Sequence, residues 1–203
     1  MIRVHHLNRS RSLRVLWLLE EIGAPYEVVR HERDPKTNLG PDSLRALHGL
    51  GKSPLIEMDG RVISESGAIV EHVCARLAPE MLPDPGTDAA IAHLEWMHFA
   101  EGSAMTPILL RLYTGKLGEA GAPLAPRIDA ELANHFAHME RGLRDSGHFV
   151  LDRLSAADVM LSFPAQIAMR YGMAGTYPRL AAFCAMIEAR PAWARAVAAG
   201  GGD

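Results

Sequence analysis

Three short stretches of this chain hold residue types that could bind and activate a small peptide. Gly51-Lys52-Ser53-Pro54-Leu55-Ile56 reads as a loop entering a strand, with a proline at the entry. Proline has no N–H to give a sheet ladder, so it belongs at a strand's first residue or in a tight turn, where a cis bond is accessible. Glu65-Ser66-Gly67-Ala68-Ile69 sets an acid and a hydroxyl ahead of an apolar run, the pattern of a helix start. Free N–H groups at a helix N-terminus, beside a backbone edge that a proline leaves unpaired, suit a small peptide carrying a carboxylate. Asn8-Arg9-Ser10-Arg11-Ser12 places hydroxyls and cations before another helical run that begins at Leu13.

The elements that must position these residues alternate over the first eighty positions. Residues 2–7 form a strand pattern, 12–22 a helical run closed by Gly23 and Pro25, and 26–30 a second strand rich in β-formers. A short helix is expected at 42–47. Strands at 55–58 and 61–63 flank Asp59-Gly60, the sharpest hairpin signal in the chain, and a helix follows over 65–77. This βαβ then ββα order predicts a four-stranded mixed sheet with helices packed on it, an α/β domain over residues 1–78.

Pro79, Pro83, Pro85 and Gly86 mark a linker over 79–87, and residues 88–203 read as all-helical. Runs at 89–116, 125–145, 156–171, 178–189 and 192–198 supply the helices, with Pro107 expected to kink the first. Trp17 and Trp96 read as packing anchors.

Composition is that of a globular domain, with 48% apolar and 22% charged residues. A formal charge of −3 argues against nucleic acid or an anionic membrane as partner. No apolar run approaches the roughly 20 residues a membrane span needs. The opening residues form a strand pattern without the apolar core of a signal peptide, and the two cysteines, Cys74 and Cys184, lie in apolar helical patterns. Buried free thiols and a cytoplasmic location are therefore expected. Ten histidines invite a metal reading, but His5-His6 stands in a strand and His93/His98 are five apart, poor geometry for shared ligation. No metal is expected.

The order of these pieces resembles the cytosolic glutathione transferases along essentially the whole chain. Ser53-Pro54 is similar to the family's cis-proline element, and Glu65-Ser66 to its Gln/Glu-Ser pair. Ser155-Ala156-Ala157-Asp158 resembles the family's buried N-capping box, and Tyr177-Pro178-Arg179-Leu180 with Arg190-Pro191-Ala192-Trp193 its closing helices. The run Ser10-Arg11-Ser12-Leu13-Arg14-Val15-Leu16-Trp17 is most similar to a bacterial and fungal branch with serine in the active-site loop. The resemblance implies a thioredoxin-like first domain, an all-α second domain, glutathione as co-substrate, a homodimer, and transfer of the glutathione thiolate to a small hydrophobic electrophile. A glutathione-dependent peroxidase or reductase on the same fold, and a non-catalytic glutathione-binding regulator, are the alternatives. The absence of cysteine near residues 8–12 argues against a mixed-disulfide mechanism.

Free glutathione is only a few per cent thiolate at neutral pH, so a hydrogen bond to its sulfur near a helix N-terminus would activate it. The family's catalytic serine stands four or five residues before the arginine that matches Arg14, which gives Ser10 in one register and Arg9 in the other. Ser10 is the candidate catalytic residue, with Asn8, Arg11 and Ser12 as candidate support; Ser12 also suits the helix cap. The resemblance assigns glutathione binding to Ser53, Pro54, Glu65 and Ser66, with the Glu65 carboxylate on the ligand's ammonium and Ser66 on its carboxylate. Lys52 is a candidate for the glycyl carboxylate. The electrophile pocket is expected between the domains, with His98, Glu101, Met105 and Tyr113 as candidates, while Ser155 and Asp158 read as a structural cap.

Overall fold

A computed structural model describes residues 1–202. Its contacts divide the chain into two compact units, Met1–Leu82 with everything from Met186 onward, and Pro83–Ala185. The final helix thus clusters with the first unit, whereas the sequence division placed all of 88–203 together.

In the first unit, β1 (Ile2–Leu7) runs parallel to β2 (Tyr26–His31) and antiparallel to β3 (Leu55–Met58), which pairs antiparallel with β4 (Arg61–Ile63). The order is β2-β1-β3-β4, the four-stranded mixed sheet the sequence pattern predicts. Asp59 and Gly60 both take positive φ, 52° and 76°, as a two-residue turn matched to strand twist requires.

The crossover between the parallel strands is α1 (Ser12–Ile22), which ends at Gly23 in the left-handed region (φ 66°), with the Gly23 N–H bonded to the Leu19 carbonyl. Seven of its residues are buried, Arg14 among them. The short α2 (Asp42–Leu47) precedes the loop to β3, and α3 (Ser66–Leu77) follows β4. Val4, Leu16, Leu18, Leu19, Ile56, Ile69, Val70 and Val73 form the core of this unit.

The last helix, α9 (Pro191–Gly200), packs on α1, with the rings of Trp17 and Trp193 edge to face at 5.4 Å. Arg190 grips the Glu21 carboxylate through Nε and Nη2, and Arg195 Nε donates to Glu20 Oε2 at 2.6 Å. These contacts explain why the C-terminal helix belongs to the first unit. Its amphipathic sequence shows a helix but not which core it covers.

The second unit contains α4 (Asp88–His98), α5 (Met105–Gly115), α6 (Ala125–Gly142), α7 (Ala156–Arg170) and most of α8 (Pro178–Glu188). Between α4 and α5 the helix widens to a π turn at Phe99–Ala104. Pro107 has no N–H for the Ser103 carbonyl, and the irregularity expected at Pro107 falls in the preceding turn. Leu132, Phe136, Val159, Met160 and Leu161 centre this core. Among the described residues no helix is long and apolar enough to cross a membrane.

Candidate functional site

The loop from β1 to α1 carries a chain of hydroxyls. Ser10 Oγ lies 2.7 Å from Ser12 Oγ and accepts the Ser12 N–H at 3.2 Å. Ser12 Oγ in turn lies 2.9 Å from His6 Nδ1, with the Leu7 backbone N and O each at 3.4 Å. Ser12 is fully buried and is the first residue of α1, so it is not the cap: Arg11 holds that position, and the Ser12 hydroxyl turns back onto β1. The reason is local. Its Oγ finds better partners on the strand than the helix N–H groups offer.

The Ser53-Pro54 peptide is cis. Ser53 Oγ donates to the His5 carbonyl at 2.9 Å, which fixes this loop against β1, and Ser10 Oγ approaches Ser53 Oγ at 3.5 Å. The stretches that carry Ser10 and Ser53-Pro54 thus meet. The Glu65-Ser66 stretch joins them through α1, because the buried Arg14 guanidinium of that helix donates to Ser66 Oγ at 2.5 Å. Ser66 opens α3, and Glu65 before it is exposed with φ 65° and ψ 116°, backbone that costs a non-glycine residue about 1–3 kcal/mol. Outliers of this kind cluster where a side chain is aimed at a ligand.

Arg9 is exposed with φ 49°, and its carbonyl accepts from Arg33 Nη2 at 3.3 Å; Ser10, not Arg9, enters the hydroxyl chain. The Asn8 backbone carbonyl accepts from Arg33 Nε at 3.0 Å, and its buried side-chain Oδ1 has no hydrogen-bond partner among the described residues. Arg11 is half-buried and Lys52 exposed. Among the described residues no group of three His, Cys, Asp or Glu is placed to hold a metal.

Beside this site a second polar chain crosses the sheet. His5 Nε2 lies 2.9 Å from Glu57 Oε1, His5 Nδ1 lies 3.0 Å from His31 Nε2, and His31 Nδ1 lies 2.9 Å from Ser43 Oγ on α2. His5 and then Arg3 hold the Glu57 carboxyl below its ordinary range. Burial, then the neighbouring His5 and His6, lowers His31. Cys74, the cysteine of this unit, is pushed up to about 12 by burial and by Glu80 and Glu71, so its own thiol is held protonated.

Two family models match the chain: the glutathione S-transferase N-terminal domain over residues 1–75 and its C-terminal domain over 122–185. Glutathione S-transferase 3 of Schizosaccharomyces pombe is 30% identical over 209 residues, covering 95% of this chain and 85% of the relative. The chain belongs to the glutathione S-transferase family.

It is an enzyme of that family, and further relatives agree along its length. Glutathione S-transferase 1 of Saccharomyces cerevisiae is 28% identical over 96% of this chain and 93% of its own. The crystal structure of a glutathione S-transferase from Actinobacillus pleuropneumoniae superposes with a TM-score of 0.87 at 32% identity, covering 98% of this chain and 92% of that one. A sphingomonad glutathione S-transferase complexed with glutathione, 21% identical with a TM-score of 0.81 over 98% of each chain, shares the fold. The sheet and helices within residues 1–75 are therefore the thioredoxin-like N-terminal domain, and the helices within 122–185 belong to the family's C-terminal domain.

In that second unit the four candidate pocket residues have different surroundings. Met105 is buried at 3% exposure, Glu101 is half-buried in the π turn, and His98 and Tyr113 are exposed. Ser155 and Asp158 form a capping box at α7: Asp158 Oδ2 accepts from the Ser155 N–H and hydroxyl, each at 2.7 Å, and Oδ1 accepts the Phe149 N–H at 2.9 Å. Sequence reasoning missed the roles of His6 and of the Arg14 side chain. A histidine in an apolar strand and an arginine inside an apolar helical run were the available signals, because buried polar groups must find partners.

Proposed function

We propose that this transferase binds reduced glutathione in its first domain and conjugates the thiolate to a small hydrophobic electrophile. The observation that carries the reading is the meeting of Ser10 with the Ser53-Pro54 loop at the N-terminus of α1. A peptide lying along the cis-proline edge would bring its cysteinyl sulfur to a hydroxyl and to a helix N-terminus, both of which favour the anion. Ser53 and Pro54 supply the backbone edge for the cysteinyl part. The γ-glutamyl carboxylate falls to Ser66 and the α3 N-terminus, its ammonium to Glu65, and the glycyl carboxylate to Lys52.

Catalysis by this arrangement is positioning plus thiol activation, with the electrophile supplied to an oriented thiolate. His98, Glu101, Met105 and Tyr113 are the proposed electrophile contacts. Family membership supports a homodimer as the working assembly, and two buried free cysteines suit a reducing cytoplasm.

The test is the pKa of bound glutathione, read from thiolate absorbance, in wild type and in Ser10→Ala, alongside conjugation of an aryl halide. The reading requires a depressed pKa in wild type, its return towards the free value in Ser10→Ala, and turnover that falls with it. Binding with an unmoved thiol pKa and no conjugation would instead make this a binding protein.

A further inference from the structure

A serine hydroxyl that stabilises a thiolate does not explain where the thiol proton goes. Behind Ser10 the structure holds an acceptor for it. His6 is 2% exposed and Ser12 is fully buried, and the three side chains run His6 Nδ1 to Ser12 Oγ at 2.9 Å and Ser12 Oγ to Ser10 Oγ at 2.7 Å. We infer that Ser10, Ser12 and His6 form a proton relay that carries the glutathione thiol proton to the His6 imidazole. The inference rests on the glutathione reading above.

The hydrogen bonds allow two polarities. With His6 neutral and accepting at Nδ1, the Ser12 proton points to His6 and the Ser10 proton to Ser12. Ser10 Oγ, which already accepts the Ser12 N–H at 3.2 Å, then turns its remaining lone pair outward and accepts an S–H. Ionisation moves one proton along each link. The thiol S–H bond breaks and its proton joins Ser10 Oγ, the former Ser10 proton passes to Ser12 Oγ, and the former Ser12 proton passes to His6 Nδ1. The products are a thiolate, held by the new Ser10 O–H, and an imidazolium that donates to Ser12.

No atom moves far, and the same serine that receives the thiol proton ends as donor to the sulfur. The competing partner of Ser10 is weaker: Ser53 Oγ is 3.5 Å away and its own proton is committed to the His5 carbonyl. Ser12 and His6 are positioning residues in this scheme, acting through Ser10.

The surroundings of His6 hold the ring in place. A Cβ added at Gly200 of α9 would stand 3.1 Å from His6 Cε1, so the helix closes over the ring at its one residue without a side chain. The titratable groups near it are His5 beside it on β1 and, on β2, His31, which stays below its ordinary value, and Arg30, whose Nη2 donates to the Ala199 carbonyl at 2.8 Å. From α1 the ring meets the Ser12 hydroxyl, and from α9 it faces Gly200.

Calorimetry of glutathione binding in buffers of differing ionisation enthalpy gives the protons released. Thiolate absorbance on the same samples gives the thiolate formed. Wild type should release well under one proton per thiolate formed, because His6 keeps it. His6→Asn holds a polar atom near the Nδ1 position but takes up no proton, and Ser12→Ala breaks the chain. Both should release one proton per thiolate and raise the bound thiol pKa by about one unit, a tenfold loss of thiolate at fixed pH. Ser12→Thr keeps the hydroxyl and should restore wild-type behaviour, which a purely structural role for Ser12 would not require. If wild type releases a full proton per thiolate and the variants share its thiol pKa, the relay is overturned while the glutathione reading stands. If wild type binds no glutathione, that reading fails and the relay with it.

Discussion

Arg14 Nη2 donates to Ser66 Oγ at 2.5 Å, and both residues are buried. The contact links the first helix to the start of α3, where the ligand carboxylate is proposed to bind. A hydroxyl that accepts from a guanidinium is polarised into a better donor for that carboxylate. Ser66→Ala should therefore act twice. Loss of an acceptor for a buried cation should lower stability by about 1–3 kcal/mol, read by urea denaturation. Loss of the donor should weaken glutathione about tenfold by calorimetry. Unchanged affinity would mean the carboxylate is held by backbone N–H groups without the hydroxyl.

Glu65 separates the demands of folding from those of binding. Its φ of 65° is a conformation glycine adopts at little cost. Glu65→Gly should thus leave the melting temperature level or raise it, while glutathione affinity falls at least tenfold with the lost ammonium partner. Equal affinity in the variant would remove Glu65 from the site and leave its backbone geometry unexplained.

The hairpin at Asp59-Gly60, the Gly23 helix stop and the Ser53-Pro54 turn are local signals, in which residue type and backbone conformation are bound together, and they were readable directly. The elements of the sheet came out within a residue or so for the same reason. Tertiary pairings were not readable. Ser12 looks like a helix cap because serine before an apolar run usually is, yet His6 and Leu7 compete for its hydroxyl from the neighbouring strand. Arg14 marks the family register in sequence, but its partner Ser66 is 52 positions away. The placement of α9 on α1 likewise depends on Trp17 meeting Trp193, which neither amphipathic pattern specifies.

Asp158 offers a test in which chemistry should stay constant. Its carboxylate is fully buried and accepts from Ser155 twice and from the Phe149 N–H, so it closes a loop as well as capping α7. Asp158→Ala should cost about 2–4 kcal/mol, more than an ordinary cap, because three buried donors lose their acceptor. Glutathione affinity of the folded fraction should match wild type. A loss of affinity at full stability would show that the cap acts on the site and not only on the fold.

The chain Glu57–His5–His31–Ser43 predicts how stability varies with pH. With both imidazoles neutral every link is satisfied: Ser43 donates to His31 Nδ1, His31 Nε2 donates to His5 Nδ1, and His5 Nε2 donates to Glu57. Burial and the adjacent histidines hold His31 below its ordinary value of 6.5, so the folded state resists the proton that the unfolded chain accepts. Where the unfolded state binds more protons, stability rises with pH. His31 therefore contributes fully above pH 6.5, and its contribution falls as pH drops from there towards the lowered folded value. Glu57, held down by His5 and Arg3, acts in a separate window, below the ordinary carboxylate value of 4.5. His138, lowered by burial and Arg141, shares the upper window but is untouched by a change at position 31. The expected result is that wild type loses melting temperature between pH 7.5 and pH 5.5 and that His31→Gln, which keeps a donor for His5, loses less over about the same range. Identical slopes in the two proteins would show that His31 takes up its proton as readily folded as unfolded, and the hydrogen-bond polarity assigned to the chain would then be wrong.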